Sequence, residues 1–247
     1  MIATLPASFE SSEAVTLRRY ATAAGVAMLV TMIFGFLGEV WIPGRFIVHA
    51  DTAATAANIL AHPTLFRLGF ASYFVEGCCD IALCVLFYVI LKPVNRNLAL
   101  LSAFFGIASM AIFAVAESSY WAASMLVRDS AGFAAFTAEQ RNALAYFALR
   151  LYGTIGDLFF ALYGIASMLR GYLIMRSGYL PRILGVLLMI GGAGFVVRTA
   201  SVLLAPSYTS DLMLLPMAVA GIPLMLWLLF RGGGILSAAA PAPPSHL

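Results

Sequence analysis

Long apolar stretches separated by short polar joins dominate this chain, and the length of those stretches is the first clue to the fold. Each is near the twenty or so residues that an α-helix needs to cross the hydrocarbon core of a bilayer. The pattern predicts helices over Ala21–Trp41, Leu65–Leu91, Leu98–Leu126, Asn142–Arg170, Ile183–Leu204 and Leu212–Phe230. Pro43-Gly44, Lys92-Pro93, Ser177-Gly178, Pro181 and Ala205-Pro206 mark the joins, because proline and glycine interrupt helical hydrogen bonding.

The longest outer loop, Ile42–Thr64, carries a further signal. Asp51-Thr52 can cap a short amphipathic helix over Ala53–Ala61, expected to lie on the outer membrane surface. His49 and His62 flank it and read as solvated loop residues rather than a metal pair. The expected organisation is an N-terminal cytoplasmic segment (1–17), a six-helix transmembrane domain (18–231) and a disordered Pro/Ala-rich tail (232–247). Residues 1–17 contain Glu10 and Glu13 and do not read as a cleavable signal peptide. Arg18-Arg19 loosely resembles a twin-arginine signal, but five more spans follow, so the first is expected to stay as an anchor.

Composition agrees with the pattern. Apolar residues make up 62% of the 247 and charged residues 10%, against about a quarter charged in soluble domains. A net charge of +3 leaves no footprint for nucleic acid. With the N-terminus inside, the inner side holds Arg18, Arg19, Lys92, Arg96, Arg170, Arg176, Arg182 and Arg231, and the outer side Arg45, Arg67, Arg128 and Arg141. The positive-inside rule then predicts that both termini are cytoplasmic. Cys78, Cys79 and Cys84 fall in one apolar stretch, match no disulfide or zinc spacing, and read as inert buried thiols. No histidine lies in a predicted span, so a haem site is not expected; no other cofactor and no metal is expected either.

Asp51–Leu60 (DTAATAANIL), Leu65–Phe70 (LFRLGF), Cys79–Ala82 (CDIA), Leu91–Leu101 (LKPVNRNLALL), Tyr172–Leu187 (YLIMRSGYLPRILGVL) and Leu226–Gly232 (LWLLFRG) together resemble a bacterial multi-pass family, domain-of-unknown-function family 4386. The resemblance spans nearly the whole chain, and the Arg-Ser-Gly-Tyr-Leu-Pro-Arg run is fairly specific. It implies a six-helix fold in the bacterial inner membrane and no established activity. Members often carry an arginine early in helix three, where this chain has Gly106, and a glutamate in helix six, where it has Ile222. Glu76 and Glu117 are conversely unusual for the family, so a polar site common to it is expected to be rewired here.

Ionisable residues within the spans carry the functional signal: Glu76, Asp80, Glu117, Arg150, Asp157 and Arg198, with Glu39 at the outer end of the first helix. Each costs roughly 2.5–3.5 kcal/mol at mid-helix unless paired, solvated or liganded. Counting about 1.5 Å per residue puts Glu76, Glu117, Arg150 and Arg198 at one depth, where acids and bases are expected to neutralise each other. Asp80 and Asp157 come out deeper, with no base at their level. Tyr73 shares the Glu76/Asp80 face, Tyr146 and Gly153 the Arg150/Asp157 face, and Gly191 and Gly194 the Arg198 stripe. These residues predict an outward-opening polar pocket inside helices two to five.

Three functions fit such a pocket: binding, or transport, of a small amphiphile or lipid; an intramembrane enzyme using a buried carboxylic acid as proton donor; or an accessory subunit of a larger membrane complex. A purely structural ion-pair network is the bland alternative. No serine–histidine pair lies in the spans, and no phosphate-cradling glycine loop occurs.

Overall fold

The computed structural model describes residues 7–128 and 131–231, so the expected disordered tail from 232 onward lies outside the described residues. Within them the chain is all-α, with helices α1 (Ala7–Gly35), α2 (Thr52–Ala61), α3 (Pro63–Leu91), α4 (Arg96–Arg128), α5 (Ala138–Ser177), α6 (Arg182–Leu204) and α7 (Leu215–Arg231). A π-helical turn, Phe36–Trp41, prolongs α1. Six segments are long and apolar enough to cross a membrane: Leu17–Arg45, Pro63–Leu91, Arg96–Arg128, Ala138–Ser177, Arg182–Leu204 and Asp211–Arg231. This is a multi-pass membrane bundle. Large apolar side chains such as Phe74, Phe104 and Leu204 stand exposed on its outside, where lipid replaces water as solvent.

Local chemistry sets the helix ends. Pro63 opens α3 at a position whose N–H has no helical partner anyway. The Asn95 side chain accepts from Leu98 N–H at 3.0 Å to start α4, and Thr137 and Gln140 form a reciprocal capping box on α5. Gly178, at φ 75°, closes α5 in the left-handed conformation that glycine tolerates.

The turn after α5 contains the Arg-Ser-Gly-Tyr-Leu-Pro-Arg run, and each central residue has work to do. Leu180 N–H donates to Ser177 Oγ at 3.2 Å, Leu180 is buried in the core, and Pro181 precedes α6. Tyr179 Oη donates to Ile90 O at 2.6 Å, near the end of α3. Burial pushes the Tyr179 phenol up to about 12, so it stays a donor at ordinary pH.

At 40 residues, α5 is about 60 Å long, twice the hydrocarbon thickness. It extends beyond the expected Asn142–Arg170 at both ends. Its first turns support α2, whose cap is Asp51 Oδ1 accepting from Ala54 N–H at 2.8 Å. Thr55, Ala56 and Ile59 are buried, and α2 packs on α4 and α5. The short helix is therefore docked on the bundle, because its apolar stripe finds protein to cover it.

Further along, α5 meets α6 through paired glycines. A Cβ at Gly164 would lie 2.6 Å from Gly192 O, and one at Gly171 would lie 2.5 Å from Gly185 O. The reverse contacts are equally short, at 2.5 Å. Small residues let membrane helices approach this closely and gain dispersion contacts that lipid tails cannot match.

Candidate functional site

The bundle sorts its ionisable residues differently from the expected two layers. Arg198 forms an ion pair with Asp157, and its Nη2 also donates to Asp211 Oδ1 at 3.2 Å. Asp157 and Asp80 therefore do not make a base-free pair, since Asp157 has its own arginine across the α5–α6 contact. Thr199 Oγ1 donates to Asp157 O at 2.6 Å and fixes the register. Depth counted along single helices missed this, because it does not show which residues of α5 and α6 face each other.

Arg150 pairs with neither glutamate and is exposed. It lies about 40 Å from the C-terminal end of α5 at 1.5 Å per residue, farther than the roughly 30 Å thickness of the hydrocarbon. The overlong helix is the reason. Tyr146 is engaged elsewhere, accepting from Ala50 N–H at 3.1 Å, and Gly153 is exposed with open space around it. Gly191 and Gly194 face the α7 side of α6 instead: they admit Met217 of α7 and the Met213 carbonyl respectively.

The remaining candidates do come together. Glu39, Glu76 and Glu117, from the π-helical turn, α3 and α4, lie within electrostatic reach of one another. Glu39 is half-buried, whereas Glu76 and Glu117 are 7% and 6% exposed. Gly35 makes the room for Glu76, because a Cβ there would lie 2.6 Å from its Oε1. Tyr73 and Tyr152 share a hydrogen bond at 2.7 Å, and the Tyr120 ring packs edge-on against Tyr73 at 5.5 Å. Glu76 Oε2, both carboxylate oxygens of Glu117 and Tyr120 Oη have no hydrogen-bond partner. Among the described residues, no three His, Cys, Asp or Glu side chains converge closely enough to hold a metal ion.

Glu117 and Tyr73 line a groove of about 340 Å³ between α3 and α4, with Phe70, Phe74, Met110 and Phe113 among its apolar walls. The groove faces outward between two helices instead of opening into the centre of helices two to five. Its wall is mainly aromatic and apolar, with the Glu117 carboxyl set into it, which suits a positive group attached to an apolar body.

Asp80, one turn further along α3, is within electrostatic reach of Glu39 and Glu76 and lies nearer the N-terminal side of the bundle. It faces Arg170 and Thr31, but Asp80 Oδ1 and Thr31 Oγ1 both lack a hydrogen-bond partner. Arg170 is 4% exposed and was misread from sequence as an inner-side charge at the end of a shorter helix. Its Nη2 donates to Cys84 Sγ at 3.3 Å, and its guanidinium lies 5.3 Å from the Phe87 ring centre. Cys84 is thus a buried acceptor, Cys79 is half-buried, and Cys78 is exposed, contrary to the expectation of three buried thiols. A Cβ at Gly106 would lie 2.7 Å from Arg170 Nη2 and 2.5 Å from Cys84 Sγ. Where the resemblance implied an arginine on this helix, the guanidinium comes instead from α5, into space that glycine leaves.

Comparison with known proteins places this architecture. An uncharacterised protein of Archaeoglobus fulgidus is 27% identical over 135 residues, covering 55% of this chain and 66% of the relative, just under two thirds of its length. No solved structure gives a significant match. Residues 23–232 match a family described as a domain of unknown function, DUF4386, and the chain belongs to that family.

Proposed function

We propose that this protein binds a small amphiphile carrying a positive head group, held in the aromatic groove beside Glu117. One observation carries the reading: Glu117 is almost wholly buried on the groove wall and neither carboxylate oxygen has a partner. A buried carboxylate without a base is costly, and an ammonium seated beside it would offset that cost while the groove's rings take its apolar body. Glu39 and Glu76 add further carboxyl oxygens on the interior side. Binding is the primary activity; transport would add movement of that ligand past Glu76. The setting we propose is a bacterial inner membrane, with both termini cytoplasmic and the bilayer itself as the surrounding partner.

The test is thermal stabilisation of the detergent-purified chain by decyltrimethylammonium, with decyl maltoside as the uncharged control. The cation should raise the melting temperature of the wild type by several degrees and leave Glu117→Gln unmoved. Equal shifts with both amphiphiles, or in both proteins, would overturn the reading.

A further inference from the structure

A second cavity, of about 160 Å³, lies among α1, α3, α5, α6 and α7, away from the Glu117 groove. Met28, Phe87, Leu188 and Leu224 supply apolar wall, whereas Thr31, Ser167 and Arg170 supply polar groups. Two of these polar groups can donate to a ligand. Thr31 Oγ1 faces Asp80 but makes no hydrogen bond of good geometry, and the hydrogen bond found for Arg170 is the one from Nη2 to Cys84, although a guanidinium carries five N–H donors. Asp80 attracts the guanidinium, but no ion pair within 4.0 Å joins them, so the Arg170 donors are not taken up by it.

A buried arginine with idle donors at one end of an apolar cavity has a specific ligand chemistry. Guanidinium matches the two oxygens of a carboxylate or phosphate. The volume limits the body: an engineered cavity of about 150 Å³ accepts one benzene, so about six carbons fit. The methionine at position 28 suits an irregular apolar body, because thioether side chains adapt. We infer that this cavity binds a short acidic amphiphile, its anionic oxygens on Arg170 and Thr31 and its apolar body toward α7.

The test compares hexanoate, hexyl phosphate, hexanol and inorganic phosphate by native mass spectrometry and thermal shift on the full chain. At least one hexyl anion should bind one to one, and hexanol and inorganic phosphate at least tenfold more weakly. Which hexyl anion binds more tightly assigns the head group. Arg170→Gln should abolish binding. Because that change leaves Asp80 without its attracting charge and can unfold the chain, Gly221→Leu provides a second route. Gly221 lines the cavity, and a Cβ there meets only the Met32 methyl at 4.0 Å, so leucine should fill the space and remove binding while the fold stands. Glu117→Gln should bind the hexyl anion as the wild type does, which separates this site from the groove. Hexanol binding as well as the anions, inorganic phosphate binding equally, no binding by any probe, or unaltered binding to Gly221→Leu would each overturn the inference.

Discussion

Tyr179 joins two helices that are far apart in sequence through one hydroxyl, and its effect should be measurable alone. Removing that hydroxyl in Tyr179→Phe leaves Ile90 O unbonded at the end of α3, for an expected loss of about 1 kcal/mol. The phenol titrates near 10 when free and is raised to about 12 here. A raised pKa means that its stabilising share is complete below about pH 10 and disappears as pH climbs towards 12. Melting temperatures of wild type and Tyr179→Phe should therefore converge over that interval, and a constant gap would show that the bond does not form. Arg198 offers a second test at this scale. Its partner Asp157 is 14% exposed whereas Asp211 is 88% exposed, so Asp157→Ala should destabilise far more than Asp211→Ala. A double-mutant cycle should find coupling for Asp157 with Arg198 and additivity for Glu76 with Arg198.

Helix contacts depend on whether a glycine faces a neighbour or open space. Gly171→Ala puts a methyl 2.5 Å from Gly185 O, a clash only helix separation can relieve, for a loss of roughly 1–3 kcal/mol. Gly156→Ala meets nothing within 4 Å and should be neutral or stabilising by up to about 1 kcal/mol through helix propensity. Unfolding of the two variants by graded denaturant separates these outcomes; equal behaviour would mean that α5 and α6 are not in contact there. The same contrast explains what the sequence could reveal. Span existence was legible, since twenty apolar residues have one physical meaning, and so was the Asp51 cap, a local signal. Which face of α6 met α5 was not, because Gly185, Gly191, Gly192 and Gly194 look alike until the partner helix is placed. The reach of α5 was hidden too, since Arg170, Arg176 and Glu139 resemble end-of-span charges. Reading Arg170 as an end cost the Asp80–Arg170–Thr31 setting, whose one sequence signal was a charge seven residues inside a continuing helical pattern.

Across the whole molecule, the two ends of the bundle differ in charge less than the sequence count implied. Arg170 leaves the inner set because it is buried, and Arg150 joins the opposite side. That leaves Arg18, Arg19, Lys92, Arg96, Arg176, Arg182 and Arg231 against Arg45, Arg67, Arg128, Arg141 and Arg150. The side bearing the N-terminus is still the richer, so reporters fused to either terminus should read cytoplasmic and one placed after Arg128 should read the far side. The margin is thin, however, and Arg18 and Arg19 supply much of it where the first span begins to insert. Replacing both with glutamine leaves the two sides equal and should give mixed orientations, visible as partial reporter activity on both sides of the membrane. An unchanged single orientation in that variant would mean that other features, such as the docked α2 assembly, govern insertion. Opposite readings from the two termini of the wild type would break the six-span count itself.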